Sequence, residues 1–154
     1  MAVLVGLQAS GKTTFCHQML GGYVQVSKDH WPSARNRQRR QLRLIGDALA
    51  AGRDVAVDNT NPSPEEWQPL MEVARQNGGR VVAYWFPPDL PGSLGRNAAR
   101  QGRARVPEVG LRAVMARLQR PELTDGFDAV LTVRFDGAGG FHVIPAGLAI
   151  PDAR

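Results

Sequence analysis

Short apolar runs alternate along the chain with longer segments in which apolar residues recur every three or four positions. That is the pattern of strands alternating with helices. Ala2 to Val5 reads as a buried first strand, Gly6 to Thr13 as a turn, and Thr14 to Leu20 as a helix stopped by Gly21-Gly22. Tyr23 to Val26 is a second strand. Ser33 is the expected cap of a helix running to about Ala51, with Leu42, Ile45 and Leu49 on one stripe. Asp54 to Asp58 is a third strand, and Ser63-Pro64-Glu65-Glu66 has the composition of a helix start, leading to Gln76. Val81 to Phe86 makes a fourth strand, and Leu94 to Arg103 a short helix. The next helix spans Pro107 to Arg117, with core positions Leu111, Val114, Met115 and Leu118. Ala129 to Phe135 makes a fifth strand, and Phe141 to Ile144 can return as an antiparallel edge. The terminal residues are expected to fray. Strand–helix alternation predicts an α/β fold, a parallel sheet of about five strands flanked by helices.

Length and composition narrow the class. At 154 residues the chain fits one domain, expected to span 1–154, with no repeat or low-complexity linker. Its 43% apolar and 21% charged residues are those of a globular protein rather than a disordered one. A formal charge of +5 leans toward a polyanionic partner, although a general surface bias gives the same number. Cys16 is the single cysteine, which excludes an intrachain disulfide, and with three histidines no zinc spacing exists. No apolar stretch approaches the roughly 20 residues of a spanning helix, and no secretory signal opens the chain. The expectation is a cytoplasmic protein with no membrane partner.

The strongest chemical signal follows the first strand. Gly6-Leu7-Gln8-Ala9-Ser10-Gly11-Lys12-Thr13 matches the phosphate-binding pattern G-x-x-x-x-G-K-[ST] at every fixed position. Glycines at 6 and 11 let the backbone turn its N–H groups toward an anion, and the next helix adds its positive dipole end. Lys12 is expected to reach the β- and γ-phosphates, and the Thr13 hydroxyl to ligate Mg²⁺. The nucleotide-binding set read from this loop is Gly6, Ser10, Gly11, Lys12, Thr13 and Thr14, with Mg²⁺ at Thr13, and arginines delivered from elsewhere, Arg96 and Arg100, are candidates to join it. No Asn-Lys-x-Asp motif of GTPases and no Leu-Ser-Gly-Gly transporter signature occurs. The length leaves no room for the added lid domain of an oligomeric motor. A small kinase or a nucleotide-binding module remains.

Ligands of open parallel sheets sit beyond the carboxyl ends of the strands, where two acids fall. Asp29 follows the second strand and is positioned to accept a proton from an attacking hydroxyl, or else to cap the next helix. Asp58 ends the third strand, where it could hold a metal-bound water, orient loops, or simply bond to backbone. Arg96, Arg100 and Arg103, spaced four and three apart, read as one face of a helical lid or as a solvated basic face. Arg35, Arg39 and Arg43 line one side of the preceding long helix and could track nucleic-acid phosphates, or solvate that face. Trp31 could stack on a base or pack internally.

Together these segments resemble the polynucleotide 5′-kinases, the P-loop kinase domains of end-healing enzymes. The resemblance runs from about Val3 to Phe135 and rests on Gly6–Phe15, Gly22–Asp29, Val57–Pro62, Arg96–Arg100, Val106–Val109 and Asp125–Leu131. It implies transfer of the ATP γ-phosphate to a 5′-hydroxyl of DNA or RNA, on a P-loop NTPase-type sheet with a small lid. By that match Lys12, Asp29 and Arg100 are catalytic, Asp29 being the general base and Arg100 touching the transferring phosphate. Arg96 supports the lid, and Asp58, Asn59 and Asn61 organise the acceptor side. The family's phage member carries an arginine three residues after the base; here Pro32 stands there, and Arg35 is the candidate substitute. No Asp-x-Asp-x-Thr phosphatase motif occurs. Relatives in the same broad group phosphorylate small molecules, so a nucleoside, sugar or antibiotic acceptor stays open, as does a non-catalytic nucleotide-binding module.

Overall fold

The computed structural model describes residues 1–148. Strand β1 (Ala2–Val5) is buried on both faces, which is why every one of its residues is apolar. Val3 and Val5 feed one core, with Ile45, Trp67 and Leu70; Ala2 and Leu4 feed the other, with Phe15 and Phe86. The chain continues as α1 (Lys12–Met19), β2 (Val24–Val26), α2 (Arg37–Ala50), β3 (Val55–Val57), α3 (Pro64–Gln76) and β4 (Val82–Trp85). It closes with α4 (Leu90–Ala98), α5 (Glu108–Arg117), β5 (Ala129–Phe135) and β6 (Phe141–Leu148).

The sheet runs β2-β3-β1-β4-β5-β6, parallel through its first five strands, with β6 antiparallel at the edge. This is the α/β architecture read from the alternation, with the edge strand longer than the four residues anticipated. β1 lies between β3 and β4, so the chain leaves β1 toward one side of the sheet and later returns to the other. A crevice opens at such a reversal. It brings the turn after β1 beside the turn after β3.

Element boundaries depart from the sequence reading where tertiary contacts intervene. Helix α1 starts at Lys12 rather than Thr14, directly after Gly11 in the left-handed region at φ 90°. Helix α2 starts at Arg37, not after Ser33, because Lys28–His30 takes a 3₁₀ turn first. The cap there is Ser27, whose hydroxyl accepts from the Asp29 N–H at 3.2 Å. Ser63 precedes α3 as anticipated, but its hydroxyl turns its one proton toward the Glu65 and Glu66 carboxylates, both within reach, instead of accepting from the backbone. Helix α4 begins at Leu90, capped by Asp89 accepting from Gly92 N–H at 3.1 Å, and ends at Ala98. Arg100 and Arg103 therefore lie beyond it and share no helical face with Arg96. On α5 only Leu111 is fully buried, and Met115 is exposed.

Candidate functional site

The turn after β1 folds around Lys12. Its ammonium donates to the carbonyl oxygens of Gly6, at 3.1 Å, and Leu7, and to Ser10 Oγ at 3.3 Å. Ala9 and Gly11 both take positive φ, 56° and 90°, which curls the loop inward. Gly6 is small for a different reason than backbone freedom: a Cβ there would lie 2.8 Å from Phe86 Cβ. A Cβ on Gly11 would meet the Phe135 ring at 2.9 Å. Burial pushes the Lys12 pKa down to about 8, opposed by the charge of Asp58, deepened by Arg100, and opposed again by Asp29. Asp58, Arg100 and Asp29, each from a different segment, thus lie close enough to act on the Lys12 charge.

Asp58 is 5% exposed and takes two donors on one oxygen: Thr13 Oγ1 at 2.7 Å and Gln25 Nε2 at 2.7 Å. The hydroxyl at the head of α1 and the carboxylate at the end of β3 are therefore in direct contact. Hard oxygen donors of this pairing suit Mg²⁺, which takes few protein ligands and keeps substrate oxygens and water for the rest. Thr14 stands exposed on the same first turn.

Asp29 is exposed in the 3₁₀ turn after β2, and among the described residues its carboxylate makes no hydrogen bond. Its position is set from behind. Asn59 Oδ1 accepts from the Lys28 N–H at 2.9 Å, and Asn59 Nδ2 donates to Gln41 Oε1 at 2.7 Å. Gln41 is 1% exposed, an unusual cost for a glutamine unless its amide is satisfied. Asn61 is buried at φ 42° and donates to the Leu4 carbonyl at 2.7 Å, and Gly6 N–H donates to the Thr60 carbonyl at 3.0 Å. Asn61 therefore staples the β3 turn to β1 with its amide buried in the protein.

Arg96 reaches from α4 to the cradle: its Nε donates to the Ala9 carbonyl at 2.6 Å, and its guanidinium lies 4.8 Å from the Phe135 ring centroid. Arg100 sits in the loop after α4, bonded to the Ala104 carbonyl at 3.3 Å. Arg35 is exposed in the turn ahead of α2 and so does not share a helix with Arg39 and Arg43. Trp31 is half-buried against the core with Arg40 over its ring at 4.9 Å, so the packed alternative holds. Two residues escaped sequence reasoning, Gln25 and Gln41. The signal was available: each is a polar residue set in an apolar strand or stripe.

Residues 1–122 match the family model described as an AAA domain, and the chain belongs to that family. A bifunctional polynucleotide phosphatase/kinase of Schizosaccharomyces pombe is 24% identical over 140 residues, covering 88% of this chain and 33% of the relative. The chain thus spans a third of that relative's length. A fungal RNA kinase has the same fold at a TM-score of 0.67 and 16% identity, over 88% of this chain and 74% of the other. A gluconokinase from Sinorhizobium meliloti 1021 superposes with a TM-score of 0.59 and 21% identity, over 86% and 80%.

Proposed function

We propose that this chain is an ATP- and Mg²⁺-dependent kinase that phosphorylates a 5′-hydroxyl end of nucleic acid. The observation that carries the reading is the phosphate-loop fold around the buried Lys12 ammonium with the Thr13 hydroxyl bonded to Asp58 at 2.7 Å beside it. In this reading the Lys12 ammonium serves the phosphates, the Asp29 carboxylate the hydroxyl, and Arg100 the charge on the transferring group. The named activity of the S. pombe relative and the sequence resemblance above support the acceptor class.

In this reading the loop N–H groups, Lys12, and the side chains of Ser10 and Thr14 bind the phosphate tail of ATP, with Arg96 bracing the lid against Ala9. Thr13 and Asp58 would hold Mg²⁺, which when bound offsets phosphate charge. Asp29 accepts the proton of the 5′-hydroxyl as its oxygen attacks the γ-phosphorus. The bond to the bridging oxygen breaks, ADP leaves, and Arg100 neutralises the transferring group. Asn59 holds the Lys28 backbone, and through it the Asp29 turn. Asn61 shapes the loop that carries Asp58. Arg35 is the cation for the acceptor's own phosphate.

Pro32 supplies no cation three residues after Asp29, which favours a second reading, a small-molecule hydroxyl as acceptor. Incubation with γ-labelled ATP and a panel of 5′-hydroxyl oligonucleotides, nucleosides and sugars separates the two. Label on the oligonucleotide, with acceptor affinity falling steeply as salt rises, supports nucleic acid. Label only on a small acceptor, independent of salt, overturns it in favour of the second reading. ATP binding without transfer to any hydroxyl leaves only a nucleotide-binding module.

A further inference from the structure

The loop that carries Arg100 is closed at its base by one side chain. Asn97, on the last turn of α4 and 5% exposed, donates from Nδ2 to the Val106 carbonyl at 2.7 Å and accepts at Oδ1 from the Val106 N–H at 2.9 Å. A carboxamide here copies a backbone bridge and satisfies both polar groups of Val106 at once. Residues 98–105 are thereby drawn into a closed loop whose two ends cannot separate while the pair of bonds holds. Inside it the turns are tightened by Arg100 N–H to the Asn97 carbonyl, 3.0 Å, and Arg105 N–H to the Gly102 carbonyl, 3.2 Å. Arg100 itself bonds to Ala104 across the loop. One residue before the clamp, Arg96 ties the helix to the phosphate cradle. The loop is thus anchored to the cradle on one side and to the start of α5 on the other, since only Pro107 separates Val106 from that helix.

We propose that Asn97 is a positioning residue for phosphoryl transfer: its pair of hydrogen bonds to Val106 sets the loop so that Arg100 meets the transferring phosphate without substrate having to order it. This deepens the kinase reading and rests on it. Preorganised charge is what such a loop contributes to catalysis, because an arginine already in place loses no ordering entropy at the reacting moment. A mobile lid would instead draw on substrate binding to assemble. The difference appears as a kcat effect rather than a KM effect.

The test is a double-mutant cycle with an independent structural arm. Asn97→Ala, Arg100→Ala and the double variant are compared with the wild type in the labelled-ATP transfer assay. Asn97→Asp serves as a near-isosteric control that keeps the acceptor for Val106 N–H but loses the donor. We expect Asn97→Ala to lower kcat about tenfold, with KM for ATP within about twofold, the size of effect one to two lost hydrogen bonds produce. The double variant should be no slower than Arg100→Ala alone, because Asn97 acts through that arginine. Losses that multiply would assign Asn97 a merely structural role and overturn the proposal. Limited trypsin digestion reads the loop without any acceptor: cleavage after Arg100, Arg103 or Arg105 should quicken in Asn97→Ala and Asn97→Asp at temperatures well below melting. Unchanged cleavage overturns the clamp even if kcat falls. A wild type that transfers no label to any acceptor defeats the kinase reading instead, and the trypsin arm still decides the clamp.

Discussion

Lys12 is protonated at neutral pH at a cost to the fold, and the cost has a definite pH signature. Its pKa falls from 10.5 to about 8, chiefly because the ammonium is buried. At roughly 1.4 kcal/mol per pH unit, that displacement is worth about 3 kcal/mol. Below pH 8 the folded and unfolded chains both bind the proton, and the full penalty is present. Between about pH 8 and 10.5 the unfolded chain holds more protons than the folded one, so stability rises with pH. Lys12→Met removes the titration while nearly keeping the volume. It also strips the donor from Gly6, Leu7 and Ser10, a loss counted in full at pH 7, where the wild-type ammonium is charged. The informative quantity is therefore the difference between wild type and variant, measured by urea unfolding at pH 7 and again at pH 10. Tyr23, Tyr84 and Cys16, whose pKa values are raised by burial, occur in both proteins and largely cancel. Wild type should gain about 2–3 kcal/mol on the variant over that interval. Stability differences that stay constant with pH would refute the claim that the buried ammonium is strained in the nucleotide-free fold.

Asp58→Asn should cut turnover by at least about a hundredfold and abolish the Mg²⁺ dependence of nucleotide binding, followed by calorimetric titration with and without the metal, since one oxygen now serves Thr13 and Gln25 together. Asp29→Asn should lower kcat by about a hundredfold or more while leaving the melting temperature and ATP affinity nearly unchanged, because the exposed carboxylate carries no structural bond among the described residues; near-normal turnover would remove it as the base. Gln41→Leu removes the acceptor of the half-buried Asn59 amide and should cost about 1 kcal/mol in urea unfolding, with a fall in kcat as the Lys28–Asp29 turn loosens.

The elements and the phosphate loop were legible because their signals are local. A short all-apolar run such as Ala2–Val5, ended by a glycine, fits a strand covered on both faces, and the glycine-lysine-threonine spacing at Gly11 to Thr13 encodes a turn and a helix start within a few residues. Boundaries failed where a local signal had a competitor. Ser33 looks like a cap, but Ser27 captures the Asp29 amide first, and the resulting 3₁₀ turn delays α2 to Arg37. Arg96, Arg100 and Arg103 were spaced for one helix, yet α4 starts early on Asp89 and is spent before Arg100.

By itself the sequence determined the order of strands and helices, the loop that can hold a phosphate, and the acids that strand ends would carry. Only the tertiary structure decided which of these meet. Asp58 touches Thr13 because β3 pairs with β1, across 45 positions of chain. Gln41 reaches Asn59 because α2 packs beside the β3 turn, and Asn97 closes on Val106 because the chain reverses between α4 and α5. Hydrogen bonds of 2.7 Å impose demands that no residue pattern records, since each depends on strand order and on where a backbone turns. Local propensity acts over a few residues, and the site is an agreement among segments far apart in the chain.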